Sequence, residues 1–200
     1  MLKTCNLRRN NIGDEGATAI GEALRGNAVL TELQLGANKI RDEGAKALAS
    51  ALRVNEALTE LNLCLNDIGD EGATAIGEAL RGNAVLTTLN LRYNGIGAEG
   101  AKAMASALRV NGVLTKLNLD GHELDLPKLR GTDSVTSLDL SYKRLGPASA
   151  FVIASLIAGN GVLTNLNLYY NKIGASTRVV RMRQPQGHRS VTHAMITCMY

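Results

Sequence analysis

The feature that most constrains this chain is a recurring LxLxxNxI signature. It starts at Leu33 (LQLGANKI), Leu61 (LNLCLNDI) and Leu89 (LNLRYNGI), 28 residues apart. A degenerate copy, CNLRRNNI, starts at Cys5. Further starts lie at Leu117 (LNLDGHEL), Leu138 (LDLSYKRL) and Leu166 (LNLYYNKI). Every step is 28 residues except the 21-residue step from Leu117 to Leu138, so the pattern predicts seven strand units. A fixed period of this length is the mark of a repeat architecture. Such a unit cannot bury its apolar side alone and becomes stable only when stacked on its neighbours.

Each strand signal is followed by a helix signal. In the first unit, Asp14 and Glu15 place acids at a helix start, where the backbone dipole is positive. Ala17, Ile20 and Leu24 recur at three- and four-residue spacing and form the inward stripe. Thr18, Glu22 and Arg25 point outward. The sequence RGN at Arg25–Asn27 predicts a helix stop, with Gly26 free to take a left-handed cap conformation. One Phe, no Trp and five Tyr leave the core to Leu, Ile, Val and Ala, which suits thin repetitive layers.

The unit LxLxxNxIGxEGAxALAxALxxNxxLTx resembles the ribonuclease-inhibitor type of leucine-rich repeat. It is similar to the C-terminal repeat region of NOD-like receptors and to Ran GTPase-activating proteins. The resemblance covers roughly residues 5–174. It implies an α/β solenoid, a horseshoe with parallel strands on the concave face and helices on the convex face. It also implies that a partner is held by the concave face and its strand-to-loop rim. Asn10, Asn38, Asn66, Asn94 and Asn171 occupy the family's asparagine column, where amides can satisfy buried backbone groups. His122 and Lys143 replace it in units five and six. Histidine can mimic part of that bonding, whereas lysine, having donors only, is expected to turn to solvent. Seven residues are missing from unit 117–137, and with Pro127 this predicts an irregular convex side.

The block IGDEGATAIGEALRGNAVLT occurs verbatim at Ile12–Thr31 and Ile68–Thr87, within a 56-residue duplication. Residues 12–67 and 68–123 differ at 15 positions. Seven of those fall among eight outward strand positions: Glu32, Gln34, Gly36, Ala37, Glu60, Asn62, Cys64 and Leu65. Exposed helix positions did not change between the copies, which favours a strand surface adapted for binding over simple drift. Tyr93, Tyr142, Tyr169 and Tyr170 end concave strands. They serve either as contact residues or as a stack along the ladder. Arg8, Arg9, Arg92 and Lys116 are expected to face Glu32, Glu60, Asp120 and Asp139. Mixed charge favours a protein partner over a polyanion.

No catalytic or metal-ligating constellation is present, and neither cofactor nor metal is expected. His188 and His193 lack metal spacing, and no GxxxxGK[ST] loop occurs. Cys5, Cys64 and Cys198 are read as reduced thiols of a cytoplasmic protein. No membrane segment is expected, because the longest apolar run, Ala148–Ala158, is too short to span a bilayer. The net charge of +4 comes from the tail, where Arg178, Arg181, Arg183 and Arg189 stand without an acid after residue 174. The expected division is a solenoid over 1–175 and an atypical basic tail over 176–200. That tail is either divergent and disordered, a basic peptide for acidic partners or nucleic acid, or the product of a shifted reading frame. Nucleic acid is not expected at the repeats. The expected function is a protein-binding module, as an inhibitor or sensor. The alternatives are a GTPase-activating role or a fragment of a larger NOD-like receptor type protein. The start inside a strand unit leaves self-association through uncapped ends open.

Overall fold

The computed structural model describes residues 1–174; the tail expectations lie outside the described residues. Seven strands occupy the signature positions: β1 (Thr4–Asn6), β2 (Glu32–Gln34), β3 (Glu60–Asn62), β4 (Thr88–Asn90), β5 (Lys116–Asn118), β7 (Ser137–Asp139) and β8 (Asn165–Asn167). The helices are α1 (Gly13–Arg25), α2 (Asp42–Leu52), α3 (Asp70–Leu80), α4 (Ala98–Leu108), α5 (Leu126–Arg130) and α6 (Pro147–Ile157). β1 to β5 pair in parallel with a 28-residue register, so that Leu33, Leu61, Leu89 and Leu117 align. Strands repeat about every 4.8 Å and packed helices about every 8–10 Å, so stacking curves the molecule with its sheet inside.

The core lies between these layers. Leu33, Leu35, Leu61, Leu63, Leu89 and Leu91 reach it from the strands, and Leu48, Leu52, Ile76 and Leu80 from the helices. Ile76 is fully buried between neighbouring helices, whereas its counterpart Ile20 is only partly buried because α1 has one helical neighbour, α2. No helix among the described residues is long and apolar enough to cross a membrane.

Two asparagine ladders stitch the backbone. In the first, Asn66 Nδ2 donates to Leu35 O (3.1 Å) and Leu63 O (2.9 Å). Its Oδ1 accepts from the amides of Asn38 and Ile40, both at 3.0 Å. Asn38 and Asn171 bridge their units in the same way. The second ladder, Asn55, Asn83 and Asn111, is the real helix stop. Asn55 Nδ2 donates to Leu24 O at 2.7 Å while its Oδ1 accepts from Ala57 and Leu58. Gly26 is therefore not left-handed: its φ is −101°. Asn27 beside it accepts from the amides of Val29 and Leu30.

The short unit departs from a simple solenoid. An eighth strand, β6 (Glu123–Asp125), folds back antiparallel on β5, and β7 pairs with β8 in a separate two-stranded sheet. The parallel ladder is thus interrupted where seven residues are missing. α5 is a single short turn of helix, and α6 packs directly on α4, with Ser155 Oγ donating to Ala105 O at 3.4 Å. The helix layer continues where the sheet does not. His122 makes no side-chain hydrogen bond to the ladder, because the chain there turns into β6. Lys143 is half-buried rather than free in solvent, and its backbone N–H donates to Asn171 Oδ1.

Candidate functional site

The outward positions of the strands form one surface, on which the predicted residues fall into four groups. On β1 to β3, Glu32 and Glu60 stand opposite each other in register. Like charges facing across a ladder repel, and Gln34 Nε2 relieves this by donating to Glu32 Oε1 (3.0 Å) and Glu60 Oε1 (3.3 Å). Thr4 Oγ1 also donates to Glu32. Arg8 reaches across β2, with Nη2 3.9 Å from Cys64 Sγ. Gly36 leaves that path open: a Cβ there would sit 3.1 Å from Cys64 Sγ and 3.3 Å from Arg8 Nε.

On β4, Arg92 takes the place of Gly36 in the second copy. Its guanidinium lies 4.2 Å from the Tyr93 ring centroid and also donates to the Tyr93 hydroxyl. Arg92 Nε is buried without a hydrogen-bond partner. On β5, Lys116 pairs with Glu123 of β6 at 3.4 Å rather than with another strand-face acid. On the two-stranded sheet, the rings of Tyr142, Tyr169 and Tyr170 pack together with centroids 4.9–6.0 Å apart. The three rings meet edge-on or tilted rather than face to face, and remain exposed, at 63%, 50% and 71%. Tyr93 is also exposed but stands apart on Arg92.

Asp120 is placed elsewhere than expected. Its carboxylate turns to the start of α6 and accepts from the amides of Gly146 (2.9 Å) and Ser149 (2.8 Å). The short unit bends the chain there, so this acid serves the scaffold. Asp139 accepts from Ser141 N at 2.8 Å. That hydroxyl and amide, with the Asn167 amide and Lys143, hold its carboxyl below the usual range. The expected confrontation of four cations with four acids therefore does not form as drawn. Arg9 is exposed on the rim, at φ 59°.

The rim has a backbone peculiarity. Arg9, Ala37, Leu65, Tyr93, Tyr142 and Tyr170 end their strands in the left-handed region, with φ of 55–59°. That conformation costs an ordinary residue about 1–2 kcal/mol. Packing of aromatic pairs returns about 0.5–1.5 kcal/mol. The same conformation at Ala37 and Leu65 shows that the turn itself imposes it, whatever the size of the side chain.

The strand-to-helix loops add what residue-by-residue reading missed. Arg8, Arg9, Lys39, Arg41, Arg92, Lys143, Arg144 and Lys172 lie there against the acids Asp67 and Asp120. Tabulating charge by repeat column would have found this basic rim. Among the described residues, no group of three or more His, Cys, Asp or Glu side chains is placed to hold a metal ion.

Comparison with known proteins places this surface in context. A family profile described as the TMOD/LMOD leucine-rich domain matches residues 1–122. A solved structure titled Leiomodin-1 Actin-Binding Site 2 (ABS2) is 31% identical, with a TM-score of 0.55 over 61% of this chain and 72% of that one. A tropomodulin C-terminal domain from Caenorhabditis elegans is 16% identical, with a TM-score of 0.57 over 78% of this chain and 82% of that one. That likeness bears on the fold alone. The curated proteins yield no match. Arg8, Arg9, Glu32, Glu60, Arg92, Tyr93, Lys116 and Asp120 lie inside the profile match; Asp139, Tyr142, Tyr169 and Tyr170 lie beyond it.

Proposed function

The chain belongs to the TMOD/LMOD leucine-rich domain family, and on that premise we propose that it is an actin-binding module acting through its strand face and rim. The observation that carries this reading is the family match together with a 31% identical structure named for an actin-binding site. The matched residues include Arg92 and Tyr93, a half-buried cation and an exposed ring preassembled on each other. Preassembly lowers the ordering cost of binding, and Tyr and Arg are the side chains that dominate protein interfaces. On this reading the expected site of action is the cytoplasm. Neither an inhibitor or sensor role, nor GTPase activation, nor a NOD-like receptor origin has an observation on its side.

Fluorescence anisotropy of labelled monomeric actin, titrated with the full chain, tests the reading. Binding is expected with a Kd in the micromolar range, roughly −8 kcal/mol. Arg92→Ala with Tyr93→Ala is expected to weaken it about tenfold or more. No binding by the unmodified chain at about 100 μM, some −5.5 kcal/mol, would rule out actin as a useful partner. Undiminished binding by the double variant would move the interface off β4.

A further inference from the structure

We propose that Tyr142, Tyr169 and Tyr170, with Lys143, Arg144 and Lys172, form a second docking surface that takes an acidic peptide segment of a partner protein. This surface lies on the rim beyond the profile-matched residues and is separate from the Arg92–Tyr93 pair on which the actin reading is tested. Three exposed rings meet within 4.9–6.0 Å at the ends of β7 and β8. Tyr142 and Tyr170 are held in left-handed backbone at φ 56° and 55°, so their projection is fixed by the fold. Fixed rings offer contact area at small entropic cost, with a hydroxyl at the edge.

The charges around the rings choose the partner. Lys143 and Arg144 follow directly on Tyr142, and Lys172 stands two residues after Tyr170; Arg144 and Lys172 are exposed. The nearby acid, Asp139, accepts from the Ser141 amide at 2.8 Å and also feels the Lys143 charge, whereas Arg144 and Lys172 are in no ion pair among the described residues. A basic rim beside apolar rings complements a segment carrying carboxylates and a large apolar side chain. The chain's own residues 175–200 carry four arginines and no acid, so charge disfavours them as the occupant. Asp139 within the patch disfavours a uniformly charged polyphosphate chain.

The probe is a short fluorescein-labelled peptide of alternating glutamate and leucine, titrated with the full chain. Its lysine–leucine counterpart, a thymidine oligonucleotide and sedimentation velocity of the chain alone run beside it. The glutamate peptide is expected to bind more tightly than either competitor. Tyr142→Ala with Tyr170→Ala should weaken it about tenfold or more. Tyr142→Phe with Tyr170→Phe should retain binding, which reports that the rings act and the fold persists. Lys143→Ala with Lys172→Ala should weaken binding and flatten its dependence on salt. Arg92→Ala with Tyr93→Ala should leave it unchanged, separating this surface from the actin site. The proposal is overturned if the unmodified chain does not bind the peptide, or if the alanine pair at the tyrosines binds it undiminished. Equal or tighter binding of the lysine peptide or the oligonucleotide overturns it too. So does self-association that is lost in the tyrosine double variant.

Discussion

At the scale of single residues, the asparagines show how a polar side chain can be a core residue. Asn38 and Asn66 are buried because each amide meets five backbone partners, across its own turn and the preceding unit. A buried amide so satisfied stabilises the turn, whereas an unpaired one would cost about 1–3 kcal/mol. His122 breaks the column without replacing those bonds. Burial first, then the Lys143 charge, lowers its pKa below 6.5, against a smaller opposing pull from Glu123. The unfolded chain then binds more protons than the folded one between the lowered value and 6.5. Stability therefore rises with pH through that window and is lost as pH falls below about 6.5. His122→Asn is expected to flatten this slope in urea unfolding midpoints measured between about pH 5 and 7.5. An unchanged slope in the variant would place the proton uptake on another group.

At the scale of elements, helix starts are capped from the preceding unit. Asp14 Oδ1 accepts from the amides of Arg41 and Gly44, Asp42 Oδ1 from Gly69 and Gly72, and Asp70 Oδ1 from Gly97 and Gly100. The repeated acids thus do more than favour their own helix dipole: they join adjacent helices. The ladder stops at Ala98, which has no carboxylate. Asp120 takes over for α6, and Arg130 covers the far end of α4, donating to Leu114 O (2.7 Å) and Leu108 O (3.4 Å). These two side chains mend the places where missing residues would have supplied bonds. Asp120→Ala is expected to destabilise the chain by about 1–2 kcal/mol, the size of a lost helix cap. Urea unfolding would measure it. A change below about 0.3 kcal/mol, smaller than most cap losses, would show that α6 is held by its packing on α4 alone.

At the scale of the whole molecule, two layers follow different rules across the short unit. The strand ladder ends at β6 and resumes as β7–β8, while α6 continues the helical stack on α4. β7 and β8 also have their middle leucines only partly buried, unlike Leu61 and Leu89. Local opening follows burial and bonding. The amides of Leu140 and Leu168 are accordingly expected to exchange with deuterium at least about tenfold faster than those of Leu63 and Leu91. Equal protection would mean that the continuous helix layer makes the whole stack one cooperative unit.

Much of this was legible in the chain itself. The leucine period sets strand positions, because only alternate residues can face the core, and Leu33, Leu61, Leu89 and Leu117 do so. The binding surface was only half legible. Sequence places Arg92 and Tyr93 at a strand end, and the fold stacks one on the other. It gave no sign that Asp120 would turn to α6, because that depends on which helix comes to lie beside it. The local period by itself determined the units, their register and the asparagine column, since these rest on contacts one repeat away. Only the tertiary structure decided the antiparallel β6, the passage of α6 over α5 onto α4 and the gathering of three tyrosines. Those depend on how the stack closes over seven missing residues, and no spacing within a repeat encodes that closure.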